Sequence, residues 1–551
     1  MKTMKKIIVI LLAVMVTLGT LAGCAAPAAS SASESAGYYP AEPGQAYASE
    51  ASAESAEAAA EESYAFDGNA DPYPYQNTAD TTNEEYGVSQ ESTFFSPLDQ
   101  PLSTFSIDVD TASYSQIRQY LNDGWLPPTD AVRVEECINY FGYDYPAPLG
   151  TDPVNVGVTI SSCPWNANHY LARVALKAAE LDKSEAPPSN LVFLLDVSGS
   201  MEDPNKLPLV KSAMSMLADN LSEKDRVSIV VYAGASGVVL DGCPGNDKAT
   251  INNALDRLYA GGSTAGGDGI ELAYRVAAHY FIEGGNNRVI LCTDGDFNVG
   301  PSSDEELESL IENKRDSGIF LSVLGFGTGN TKDNHMETLA DKGNGNYGYI
   351  DSLMEAQKVL VKEACATLFT VAKDVKVQVE FNPEAVREYR LVGYDNRVLA
   401  AQDFNNDRKD AGEMGAGHCV TAFYELVLVD ATEAFSSVDP LMFQNGKQPE
   451  PKKPASDWMY VKFRYKEPEG SASKLLTTMA GIDNFTDAPD TDFVFASAVA
   501  EFALVLKDSQ FKGNASLASA VSRAKASRGI DEDGYRAQFV QLAELAGTLY
   551  R

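Results

Sequence analysis

The chain has 551 residues, with 43 Lys and Arg against 78 Asp and Glu, and a formal net charge of −35. A surplus of that size excludes nucleic acid and anionic membrane surfaces as natural partners and favours cations or basic protein faces. The length allows two to four domains and a sizeable buried core.

Met1 to Cys24 reads as a targeting segment. Lys2, Lys5 and Lys6 give it a basic start, and Ile7 to Leu21 is an apolar run shorter than a membrane-spanning helix needs. The run closes on Leu21-Ala22-Gly23-Cys24, which resembles the lipobox of bacterial lipoproteins. That resemblance implies a signal peptide over 1–23 and a lipid on Cys24. It also implies a protein anchored, rather than threaded, at the extracytoplasmic face of the cell membrane or outer envelope. A secretory signal that merely contains a Cys is the other reading. Residues 24–95 follow, rich in Ala, Ser, Glu, Tyr and Pro and without Lys or Arg. Such a composition buries too little apolar surface to offset its ordering entropy, so the segment is expected to be a disordered acidic tether. Its coil span is on the order of 50 Å.

Residues 96–150 form a compact amino-terminal region. Helical patterns run through Ile117, Tyr120 and Leu121 and through Val132 to Phe141, while Asp108 and Asp110 read as a solvated strand end. Alternating runs at Val154–Ile160 and Tyr170–Leu176 predict strands. Similar runs return at 375–381, 389–392, 420–428 and 459–465. Strands that flank a central region in sequence predict a β-sandwich, residues 151–186 with 371–470, into which that region is inserted.

The inserted region, 187–370, alternates strand and helix in the manner of a doubly wound, Rossmann-like α/β domain. Leu191 to Leu195 is an unbroken apolar run, as expected of a strand buried on both faces of a parallel sheet. It ends in Asp196-Val-Ser198-Gly-Ser200-Met201, one carboxylate and two hydroxyls at alternate positions. Open α/β sheets bind ligands at the carboxyl ends of their strands. Hard oxygens there suit Mg²⁺ or Mn²⁺ rather than zinc, although the same residues also read as a polar turn. A glycine-rich loop, Gly261-Gly-Ser-Thr264-Ala-Gly-Gly-Asp-Gly269, precedes a helix marked by Ile270, Ala273, Ala277 and Tyr280. A second buried strand, Arg288 to Cys292, then ends in Thr293-Asp294-Gly-Asp296. The last helix of the region is predicted over 353–368.

Together the three stretches resemble the metal-ion-dependent adhesion site (MIDAS) of von Willebrand factor type A (VWA) domains. Carried over by position, the resemblance makes Asp196, Ser198, Ser200, Thr264 and Asp294 the metal ligands. Asp296 is expected to fix the loop or a ligand by hydrogen bonds. Ser103–Asp110, Ala131–Phe141 and Trp165 extend the likeness to the bacterial VWA lipoproteins of the YfbK type, over nearly all of the chain beyond the tether. The resemblance implies a protein partner whose Asp or Glu completes the coordination of the cation, and no enzymatic activity. Two rivals stay open, an envelope scaffold whose metal only holds loops together and a metal-dependent hydrolase. Against the hydrolase, none of the four histidines (His169, His279, His335, His418) sits in a catalytic motif.

Asp403-Phe-Asn405-Asn-Asp407 invites a calcium-loop reading, but Arg408 and Met414 stand where an EF-hand needs Gly and Glu, which leaves a polar hairpin or an irregular oxygen-rich calcium site. Residues 485–551 turn helical, with Phe493, Ala496, Val499 and Phe502 on one face and Phe539, Leu542, Leu545 and Leu549 on another. Apart from Cys24, six cysteines are scattered without paired spacing, so no disulfide is expected, and Cys292 reads as a buried thiol.

Overall fold

The computed structural model describes residue 86 and residues 90–550, except 108–109, 182–185, 263–266, 296–303, 328–332, 364–368, 408–410, 432–453 and 469. The predicted signal peptide, Cys24, Asp108, Thr264 and Asp296 therefore lie outside the described residues. Among the described residues, no helix is long and apolar enough to cross a membrane.

The fold opens with β1 (Leu102–Ser106), α1 (Ala112–Asn122) and α2 (Val134–Asn139), and then the antiparallel pair β2 (Val154–Ser162) and β3 (Tyr170–Ala178). The Rossmann-like unit follows. It runs β4 (Ser189–Asp196), α3 (Leu207–Asp219), β5 (Arg226–Tyr232), β6 (Ser236–Pro244), α4 (Lys248–Asp256), α5 (Gly267–His279) and β7 (Asn286–Thr293). It continues with α6 (Asp304–Asp316), β8 (Ile319–Phe326), α7 (Asp333–Lys342), β9 (Tyr347–Ile350) and α8 (Leu353–Gln357). Its six strands lie in the order β6-β5-β4-β7-β8-β9, parallel except for β6. Apolar clusters cover both faces, one around Phe193, Val210 and Ile229 and the other around Leu194, Tyr274 and Leu321. This is why β4 and β7 are apolar without alternation.

The chain then returns to antiparallel strands, β10 (Thr370–Phe381), β11 (Val386–Val392), the short β12 (Met414–Gly415), β13 (Cys419–Leu428), β14 (Asp457–Lys466) and β15 (Ser473–Gly481). One sheet is ordered β1-β10-β14-β15, with β12 beside β10, and a second β11-β13-β3-β2. Val174, Leu176, Val377, Val379, Tyr424 and Val461 from the two sheets share one core. The Rossmann-like unit thus interrupts the antiparallel strands between β3 and β10, as the flanking strand patterns predict.

The chain ends in α9 (Thr491–Leu506), α10 (Leu517–Ala526) and α11 (Tyr535–Leu549). α9 is apolar around its whole circumference and buried accordingly, and Asp490 caps its first turn by accepting the Phe493 N–H. Tyr114 and Ile117 of α1, Phe141, Phe495 and Phe539 fall in a single core, so the amino-terminal and carboxy-terminal regions pack together.

Several expectations need correction. Residues 91–95 are docked rather than part of a tether. Phe95 exchanges two backbone hydrogen bonds of 2.9 Å with Tyr389, and the Ser92 N–H donates to Asp395. Asp110 is not solvated. It is 3% exposed, pairs with Arg397 at 3.0 Å and accepts the Tyr347 N–H. Of the helix predicted over 353–368, Leu353–Gln357 is α-helical, Lys358–Lys362 is a wider π turn, and 364–368 lie outside the described residues. Residues 401–405 form a 3₁₀ turn rather than a hairpin, and Asp407 is held by Arg464 and Ser473. Cys137, Cys163, Cys243, Cys292 and Cys419 are free thiols, Cys292 fully buried.

Candidate functional site

β4 is the central strand that sets the site. All eight of its residues are buried, and it lies between β5 and β7 in parallel register, so Asp196 and Thr293 emerge at the same edge of the sheet. As the chain leaves β4, the Val197 N–H donates to the Tyr232 carbonyl, and the Ser198 N–H turns back to Asp196 Oδ1 at 2.8 Å. A 3₁₀ turn, Gly199–Glu202, follows, pinned by the fully buried Met201. Ser198 stands at its start without capping it, and its Oγ lies 3.0 Å from Ser200 Oγ. The sequence Asp-x-Ser-x-Ser thereby becomes one carboxylate and two hydroxyls facing a common point.

Two backbone bonds tie this turn to the glycine-rich loop. The Gly199 N–H donates to the Gly262 carbonyl, and the Gly261 N–H to the Val197 carbonyl. Gly262 has φ +92°, a conformation that a side chain would strain, so the glycine is what lets the loop come this close. Thr264 lies two residues beyond, outside the described residues.

Asp294 follows β7 and is 2% exposed. Its Oδ2 takes the Lys206 ammonium at 3.0 Å, and its Oδ1 is buried without a hydrogen-bond partner among the described residues. Thr293 Oγ1 donates to Asp196 Oδ2 at 3.4 Å and accepts the Gly295 N–H. Asp196 is fully buried. Burial pushes its carboxyl above the usual range, the Asp294 charge adds to that, and the Ser198 and Tyr232 hydrogen bonds oppose it.

A divalent cation fits these residues. Two buried carboxylates repel each other, one buried oxygen lacks any donor, and two hydroxyl oxygens converge beside them. A hard cation answers each of these features. Among the described residues, no group of three His, Cys, Asp or Glu side chains is placed to hold a metal, so a cation here would also need the serine hydroxyls. The structure brings Ser198 and Ser200 beside Asp196, with Asp294 close enough for its charge to act on Asp196. Lys206 was not foreseen. It sits in Asp203-Pro-Asn-Lys-Leu, which reads as an exposed turn, and no spacing rule marks it. Thr293 was likewise missed, although a hydroxyl directly before a metal-site Asp is a readable signal.

Comparison with known proteins gives three family matches along the chain. Residues 190–363 match the von Willebrand factor type A domain, residues 80–173 a family described as von Willebrand factor, and residues 366–549 "Uncharacterized protein YfbK, C-terminal". The protein YfbK of Escherichia coli is 44% identical over 454 residues, covering 81% of this chain and 78% of its own. Inter-alpha-trypsin inhibitor heavy chain H3 of Rattus norvegicus is 27% identical over 178 residues, 30% of this chain and 19% of that one. Among solved structures, a von Willebrand factor type A protein from Catenulispora acidiphila aligns over 68% of this chain and 87% of its own, with 17% identity and a TM-score of 0.38.

Proposed function

The chain belongs to the YfbK family of VWA proteins, and we propose that it is a lipid-anchored envelope protein that binds an acidic side chain of a protein partner at a divalent-cation site. Asp196, Ser198, Ser200 and Asp294 hold Mg²⁺ or Mn²⁺ in this reading, together with Thr264 from the loop that the Gly199–Gly262 bond brings alongside. When bound, such an ion supplies an electrophilic position for an outside carboxylate, because neutral hydroxyls leave its charge only partly compensated. The residues' own work is to converge and to exclude water. Asp296 supports the loop, and Cys24 carries the anchor that places the site outside the cytoplasm. No chemical step is assigned to the protein.

The observation that carries this reading is Asp294 Oδ1, a buried carboxylate oxygen without a donor among the described residues and close enough to Asp196 for their charges to interact. Buried polar atoms are satisfied almost everywhere in proteins, so an orphan at a strand's carboxyl end marks a place for a ligand. The test is binding of the full chain to an array of Asp- and Glu-bearing peptides in Mg²⁺ and in EDTA. Metal-dependent retention that Thr264→Ala abolishes without loss of the folded state supports it. Retention unchanged by EDTA contradicts it.

One observation favours the scaffold reading. The Lys206 ammonium already pairs with one oxygen of the Asp294 carboxylate, an internal cation where the metal would otherwise stand. In that case Thr264→Ala leaves every interaction of the protein unchanged.

A further inference from the structure

Arg288, the third residue of β7, lies towards the end of the sheet opposite Asp294, about 20 Å away along the same strand. Its guanidinium is 2% exposed. Nη1 donates to Ser322 Oγ at 2.7 Å, the plane lies over Phe320 at 5.6 Å, and Nε is buried without a hydrogen-bond partner. Among the described residues, no carboxylate reaches ion-pair distance of Arg288. The one acid it feels is Glu413, whose carboxylate accepts from Asn344 at 3.0 Å and Thr370 at 3.4 Å. Burial draws the guanidinium down to about 10, a wide departure for a side chain that is otherwise a permanent cation. A buried, unpaired charge is among the least tolerated features of a protein interior.

The guanidinium lines a cavity of about 400 Å³ where β7, the end of α6, the turn after α7 and the 411–418 loop of the antiparallel sheets meet. Its other charged walls are largely spoken for. Lys342 pairs with Glu312 at 2.7 Å, and Arg397 with Asp341 at 3.2 Å. Arg315 pairs with Asp316 at 3.2 Å, and Arg397 also with Asp110 at 3.0 Å, so Arg288 is the cation of this wall that no carboxylate among the described residues pairs.

We propose that this cavity binds a small organic carboxylate whose oxygens seat on Arg288. A planar monoanion matches the guanidinium fork and its single charge. A phosphate dianion would leave negative charge beside Glu312, Asp341 and Glu413. The volume is that of a small-molecule site and too small for a folded partner.

The test uses the full chain with acetate, benzoate and N-acetylglycine at constant ionic strength, with phosphate and chloride as controls. Two signals are read, the thermal midpoint and the Arg288 Nε–H resonance, assigned by its loss in Arg288→Lys. The expected result is a saturable shift of both with at least one carboxylate. Binding should be at least tenfold weaker in Arg288→Met, and in Arg288→Lys if the Met variant does not fold. No response to any carboxylate, an equal response in the variants, or a stronger response to phosphate than to every carboxylate overturns the proposal.

Discussion

The Lys206 Nζ stands 3.0 Å from Asp294 Oδ2, with both side chains nearly buried. A cation built into the chain therefore occupies one oxygen of a carboxylate that the proposed metal site would use. Two consequences follow for Lys206→Met. Without metal, Asp294 is left buried and unpaired, and the thermal midpoint falls. With metal, a like charge has been removed from beside the ion, and Mg²⁺ affinity rises roughly tenfold or more. Calorimetry and thermal unfolding in EDTA and Mg²⁺ check both. A fall in affinity would mean that Lys206 organises the site instead.

Gly327 guards the same contact. Its φ is +73°, and an added Cβ would meet the Lys206 stem at 2.4 Å. Gly327→Ala is expected to displace the ammonium from Asp294 and to lose about 1–3 kcal/mol in urea unfolding, from backbone strain and the lost pair together.

The helix after β9 is braced from outside the Rossmann-like unit. Arg118 of α1, 1% exposed, holds Asp351 at 2.5 Å and Glu355 at 2.6 Å, and also donates to Tyr140. Arg118→Met strands two buried carboxylates, and a loss of about 3–5 kcal/mol in urea unfolding is expected. A change under 1 kcal/mol would mean that the brace is dispensable.

His418 gives the acid response a named contributor. Burial, with Lys358 and Lys177 nearby, lowers it from 6.5 to about 4. Between those values the unfolded chain binds a proton that the folded chain refuses, so stability falls as pH drops from about 6.5 to about 4 and is unaffected above. His418→Gln removes that component. The variant should gain on the parent progressively as urea midpoints are compared at pH 7, 5.5 and 4.5, and parallel midpoints would refute the assignment.

The fold was legible wherever burial is two-sided or alternates. The run Leu191–Leu195 declared a central parallel strand, and 375–381, 420–428 and 459–465 declared the antiparallel ones. β15 escaped because an edge strand exposes most of its residues, Leu475 and Met479 among them, and carries no clean alternation. Asp110 was misread because its partner, Arg397, lies 287 residues away and no local pattern points to it. The Asp196–Ser198–Ser200 turn was readable because its geometry is local, set by hydrogen bonds within two residues. The Lys206–Asp294 and Arg118–Asp351 pairs were not, since each is made by tertiary packing alone. The same holds for Arg288, which sequence reading noted only as the start of a strand.

The measurement closest to the central claim is calorimetric titration of Mg²⁺ and Mn²⁺ into the full chain beside its Asp196→Ala variant. The account predicts saturable one-site binding in the parent and its loss in the variant, with both proteins folded. Absence of binding in the parent, or equal binding in the two, would contradict it.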